Sequence, residues 1–141
     1  MEKDLNCAYC QRGELVNKFG YYVCDLKVSA VYLFREQSHK GRLIVAYKDH
    51  VSEMVDISKE ERDLFMDDVC NASNAIHKAF NPDKVNYGMY GDTGKHLHVH
   101  LCPKYKDGYE WGGVFLMNPN QRVASEEELE ELKKELLKYL K

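Results

Sequence analysis

Hydrophobic and polar positions change their period several times along the chain, and each change marks an element. Tyr21-Tyr22-Val23-Cys24 and Ala30-Val31-Tyr32-Leu33-Phe34 have strand-forming composition, and Arg42-Leu43-Ile44-Val45-Ala46-Tyr47 follows the turn-prone Lys40-Gly41. These three runs predict a small antiparallel sheet. From Ser58 the period lengthens. Ser58 and Glu61 have capping-box spacing, and Phe65, Val69, Ala72, Ile76 and Phe80 share one helical face before Asn81-Pro82 stops it. Two more strands are expected at 85–90 and 96–102, joined hairpin-fashion by Gly91-Asp92-Thr93-Gly94-Lys95, with a short one at 114–117. Ser125 and Glu128 repeat the capping-box spacing, and Leu129, Leu132, Leu136 and Leu140 lay an apolar stripe on a final helix, for core packing or for contact with a partner chain. Sheet residues plus two helices predict an α+β fold.

The length of 141 residues, with 44% hydrophobic and 30% charged positions, suits one domain spanning 1–141. No repeat or low-complexity tract divides it, although 104–113 reads as a mobile, glycine-containing loop. Twenty Lys and Arg against 23 Asp and Glu give a net charge of -3, which offers little general attraction to nucleic acid or acidic lipid. A local phosphate site stays compatible with that balance. Met1-Glu2-Lys3-Asp4-Leu5-Asn6 lacks an apolar signal core, and the apolar runs fall short of the roughly 18 to 20 residues that cross a bilayer. A cytoplasmic, membrane-free chain is expected.

Five cysteines, Cys7, Cys10, Cys24, Cys70 and Cys102, cannot all pair within one chain, and their sparse spacing fits a reducing compartment. Cys7-Ala8-Tyr9-Cys10 is a CxxC step, which serves redox exchange or grips a metal according to what completes it. Cys24, Cys70 and Cys102 are expected as buried small side chains, and His39 and His77 as surface or packing residues.

The sharpest feature is His96-Leu97-His98-Val99-His100-Leu101-Cys102. The two-residue period of a strand puts three imidazoles on one face and Leu97, Val99 and Leu101 on the other. Successive histidines would stand roughly 6.6 Å apart along the strand, close enough for one active surface but too far to assign all three to one metal. A neutral imidazole has a nucleophilic nitrogen whose opposite ring nitrogen a hydrogen bond can orient.

This segment resembles the histidine triad superfamily, whose motif is His-apolar-His-apolar-His followed by two apolar residues, with Cys102 the soft mismatch. The resemblance reaches from about 7 to 105 and includes Arg42-Leu43-Ile44-Val45-Ala46-Tyr47-Lys48-Asp49-His50. It implies a compact antiparallel sheet with a long middle helix and a C-terminal helix, and a homodimer. It assigns His98 as the nucleophile that attacks an alpha-phosphate to form a nucleotidyl-histidine, with His100 facing the phosphate. Asn86 and Gly91 resemble polar and glycine landmarks of the family, and Thr93 stands within reach of phosphate. Turn hydrogen bonding or solvation would also account for Asn86 and Thr93.

Two positions depart from the pattern. Asp92 replaces an amide with an acceptor-only carboxylate, which repels a phosphate placed beside it. Arg42 stands where many members carry His, so a permanent cation either stabilises phosphate or faces solvent. Cys7 and Cys10, set beside His50 and His96, resemble the closed tetrahedral Zn²⁺ site of zinc-containing members, a structural metal rather than a catalytic one. Backbone donors near Gly94 to His96 are expected to meet the phosphoryl oxygens. Tyr105 to Trp111 either flanks the substrate or forms an ordinary surface loop.

The implied activity is nucleotide hydrolysis or nucleotidyl transfer on a purine nucleotide conjugate, with a purine nucleoside phosphoramidase slightly favoured. The alternatives are a dinucleoside polyphosphate hydrolase and a nonenzymatic nucleotide-binding or protein-interaction module.

Overall fold

The computed structural model describes residues 3–141, so Met1 and Glu2 of the charged start lie outside the described residues. Five strands, β1 (Gly20–Asp25), β2 (Ser29–Phe34), β3 (Leu43–Tyr47), β4 (Lys84–Gly88) and β5 (His98–Lys104), form an antiparallel sheet in the order β1-β2-β3-β5-β4. The histidine strand β5 is therefore internal, paired with β3 and β4 and buried along its length.

Helix α3 (Lys59–Phe80) starts where Ser58 Oγ accepts a hydrogen bond from the Glu61 N–H at 3.2 Å. It ends where Asn81 takes the left-handed conformation at φ 51°. Phe65, Val69, Ala72 and Ile76 are buried as their spacing predicts. Asp68 on the same helix is also buried, accepting hydrogen bonds from Val28 N–H at 2.9 Å and Ser29 Oγ–H at 2.7 Å, which fastens α3 to the β1–β2 turn. Helix α4 (Glu126–Leu137) begins at Ser125, and Leu129, Leu132 and Leu136 enter the same core, with Leu140 packed against it. The apolar stripe is thus used within the chain.

Odd-numbered residues of β3 and β5, Leu43, Val45, Val99 and Leu101, face α3 and α4. Even-numbered ones, Ile44 and Ala46 of β3, face a smaller cluster with Tyr32, Phe34 and Val16, closed by Tyr9 and Phe19 of the N-terminal segment. Two single-turn helices, α1 (Ala8–Gln11) and α2 (Glu14–Asn17), carry that segment. At four residues each, they are too short to show a helical period in the sequence.

Three expectations need correction. Residues 114–117 form no strand: Leu116 O accepts from the Arg42 guanidinium at 3.2 Å and Leu116 N–H donates to the Glu110 carboxylate at 3.1 Å, so side chains satisfy the backbone groups a ladder would have used. β5 begins at His98 rather than 96. Cys70 is exposed on α3 and Cys24 partly so, while Cys102 is buried. His39 is a packing residue, buried against Glu110 at 2.8 Å.

Candidate active site and metal centre

The alternation of β5 and the two residues before it delivers what the triad spacing promised: Leu97, Val99 and Leu101 go into the main core, while His96, His98 and His100 line a cleft of about 920 Å³ on the opposite side. The rings of His98 and His100 lie 5.3 Å apart. His98 Nδ1 lies 2.6 Å from the His96 carbonyl oxygen, which can only accept, so Nδ1 carries the proton. Nε2 therefore keeps its lone pair. Burial pulls the His98 pKa below the ordinary imidazole value, opposed by that carbonyl, and favours the neutral, nucleophilic form.

His96 is oriented the other way round. Its Nε2–H donates to Tyr47 O at 2.6 Å, which turns the Nδ1 lone pair toward Cys7 Sγ at 3.4 Å, Cys10 Sγ at 3.5 Å and His50 Nδ1 at 3.4 Å. Cys10 Sγ and His50 Nδ1 are 3.3 Å apart. A tetrahedron of Zn–N and Zn–S bonds has edges of about 3.3–3.8 Å; these four separations match it, and all four donors lie within 4.8 Å of one another, a cluster that could hold one metal ion. Burial pushes the Cys7 thiol up, and a bound cation is what would hold it as thiolate. The structure thus brings together all four ligands expected from the sequence.

Arg42 neither faces solvent nor reaches the cleft. It is 0% exposed, stacked between Phe34 and Phe115 with its guanidinium carbon 4.0 and 4.8 Å from the ring centroids. Its Nη1–H donates to Leu116 O, and Nη2–H donates to His100 Nδ1 at 3.2 Å. Because a guanidinium only donates, His100 Nδ1 is the acceptor and Nε2 carries the proton. His100 is pushed down to about 3, by burial first and then by the Arg42 charge.

Thr93, Gly91, Asp92 and Gly94 line the cleft mouth as expected, together with Asn118, but Asn86 lies on β4 away from it, beside Tyr87 and Val114. The His96 N–H is already bonded to Gly94 O at 2.8 Å, which removes one of the backbone donors expected to meet the phosphate. Sequence reasoning passed over Tyr9, whose ring lies 4.9 Å from His98 and 5.4 Å from His96. Its position inside the CxxC step was the available signal: whatever seats the cysteines also seats Tyr9. Phe34 and Phe115, which sandwich Arg42 and flank His100, were legible only as apolar residues.

The HIT domain family matches residues 23–107, a span that includes the β5 histidines, Arg42 and His50. The chain belongs to the HIT domain family. HIT proteins are generally nucleotide-binding hydrolases or transferases. No match was found among curated proteins. Among solved structures, a histidine triad protein from Sinorhizobium meliloti is similar at TM-score 0.82 and 17% identity, covering 89% of this chain and 93% of that one. A Hit-like protein involved in cell-cycle regulation from Bartonella henselae matches at TM-score 0.75 and 21% identity, covering 99% and 100%. A hypothetical histidine triad nucleotide-binding protein from Sulfolobus tokodaii matches at 0.71 and 21%, covering 95% and 91%. These likenesses establish the HIT fold of the chain, a five-stranded antiparallel sheet with flanking helices. Among the described residues no helix is long and apolar enough to cross a membrane.

Proposed function

We propose that this HIT protein is a nucleotide hydrolase or nucleotidyl transferase that acts at the alpha-phosphate of a purine nucleotide conjugate, with His98 as nucleophile. The observation that carries the reading is the His98 ring itself, whose Nδ1–H is held by the His96 carbonyl so that a buried, neutral Nε2 meets the cleft. Attack forms an Nε2–P bond and expels the leaving group. The His96 carbonyl steadies the positive charge that grows on the ring. Water then adds to phosphorus, loses a proton to solvent, and returns the N–P electron pair to His98. His100 Nε2–H donates to a nonbridging oxygen, and Thr93 Oγ lies at the cleft mouth as a second phosphate contact. Asn86 keeps a supporting role in β4 rather than a direct one.

Cys7, Cys10, His50 and His96 are read as holding a structural Zn²⁺, because the set offers two sulfurs and two nitrogens and leaves no position for a water. Its chemistry is that of a tether. Metal-ligating thiols suit the reducing cytoplasm. The whole chain, 1–141, is read as one such domain and as a homodimer.

Reactions with adenosine phosphoramidates and dinucleoside polyphosphates, quenched in alkaline denaturant because a histidine N–P bond breaks in acid, should trap a covalent nucleotide on wild-type protein. His98→Ala should trap none and should lose activity by at least about a thousandfold. Equal turnover by both proteins would remove the nucleophile assignment.

A further inference from the structure

A fully buried guanidinium that no carboxylate touches is rare, because the charge has been taken out of water with no anion in contact; Glu36 and Glu110 act on Arg42 only from a distance. Among the described residues no Asp or Glu pairs with Arg42, and its Nε is buried without any hydrogen-bond partner. What it meets is a carbonyl, a thioether, two aromatic faces and one imidazole nitrogen. That imidazole belongs to the cleft.

Strand register explains the meeting. Ile44 pairs with His100 and Leu43 with Leu101, so Arg42 extends from the end of β3 on the same face as His100 and diagonally across from it. Phe34 from the neighbouring strand and Phe115 from the loop after β5 close over the guanidinium. The position is therefore built to aim one N–H at His100 Nδ1.

Resting on the nucleotidyl-transfer reading above, we propose that Arg42 is a positioning residue that locks His100 as a neutral Nε2–H donor, and that the enzyme is thereby specialised for leaving groups that depart as anions. Nucleoside polyphosphates are such groups, and alkylamines are not.

The chemistry follows from the proton count. When His98 Nε2 bonds to the alpha-phosphorus, the bridging P–O bond breaks and its electron pair leaves on the terminal oxygen of a nucleoside polyphosphate. That anion is stable in water and needs no proton. When the bridging atom is an amine nitrogen, the same step would expel an amide anion, so a proton must reach nitrogen as the bond breaks. His100 cannot supply it. As a neutral donor it would have to become an imidazolate. To start instead as an imidazolium it would need a proton on Nδ1, where Arg42 already points an N–H and a positive charge. The two histidines thus divide the work, His98 as electron-pair donor and His100 as a fixed hydrogen-bond donor to the phosphoryl oxygens, with no acid between them.

The test has two readouts. The first is a series of aryl esters of adenosine monophosphate with phenols of graded acidity, run beside diadenosine tetraphosphate and an alkylamine phosphoramidate of the same nucleotide. Wild-type kcat/KM should fall steeply toward the less acidic phenols. It should also be roughly a hundredfold or more lower for the phosphoramidate than for diadenosine tetraphosphate, the scale of a missing general acid. Arg42→Met and Arg42→His should flatten the series and raise the phosphoramidate rate relative to the polyphosphate by about tenfold or more. The second readout is nitrogen-15 NMR of the imidazoles. His100 should show the Nε2–H tautomer in wild type and lose that single-tautomer signature in Arg42→Met.

A flat leaving-group series, or phosphoramidate cleaved as fast as polyphosphate by wild type, overturns the proposal while leaving His98 chemistry intact. A wild-type His100 protonated on Nδ1 overturns it without any substrate. If no member of the panel is cleaved and no nucleotide is trapped, the nucleotidyl-transfer reading falls, and the leaving-group specialisation falls with it.

Discussion

His98 and His100 are the same amino acid two positions apart, yet they hold their protons on opposite nitrogens. The difference lies in what each Nδ1 meets: a carbonyl that accepts in one case, a guanidinium that donates in the other. The burial that makes His100 a useful neutral donor has a pH cost for folding. Unfolded, this imidazole takes a proton near its ordinary value of 6.5, whereas folded it resists until about 3. Between those values the unfolded state binds more protons. The stabilisation is therefore complete above pH 6.5 and is lost as pH falls through the window from 6.5 to about 3. From pH 7 to pH 5 the loss from this one group is about 2 kcal/mol. His39, His96 and His98 are also held low by burial and act in the same direction. Urea unfolding at pH 7 and pH 5 should show wild-type stability falling, with His100→Gln losing about 2 kcal/mol less across the same interval. Equal losses would show that His100 does not carry this part of the acid sensitivity.

At the scale of elements, the legible parts were those with a period and a stop. The capping serine, apolar face and left-handed Asn81 of α3 all stand where the sequence pattern put them, because each is a local demand of the helix itself. Residues 114–117 had strand composition but pair with no strand. Their backbone is held by Arg42 and Glu110 side chains that no local pattern could announce. Asp68 was similarly hidden, a carboxylate on the buried side of α3 whose reason is the turn packed against it. Asp68→Ala should leave the Val28 N–H and Ser29 hydroxyl without partners and cost about 1–3 kcal/mol in urea denaturation. Its helix content should stay unchanged by circular dichroism. A stability within about 0.5 kcal/mol of wild type would mean that the turn repairs itself.

For the whole molecule, the proposed zinc joins three segments far apart in the chain: the N-terminal turn, the loop after β3 and the approach to β5. Tyr9 then lies against His98. Removing the metal should free the cysteines and loosen the aromatic wall behind the nucleophile. A chelator should lower the Tm of metal-replete protein by roughly 5 to 10 °C, and Cys7→Ser should start lower and respond less. Identical melting with and without chelator would count against a structural metal.

From residue order alone came the α+β class, the two capped helices, the histidine face of β5 and the candidate metal set. All rest on periodicity, capping chemistry or the resemblance carried by the triad and the CxxC step. Even the shared parity of Arg42 with Ile44 and Ala46 could be read off β3. Only the folded sheet decided what Arg42 does. Whether a guanidinium at that position meets water, phosphate or an imidazole depends on the β3–β5 register and on Phe34 and Phe115 closing around it. Those contacts join residues distant in sequence, and the protonated nitrogen of His100 follows from them.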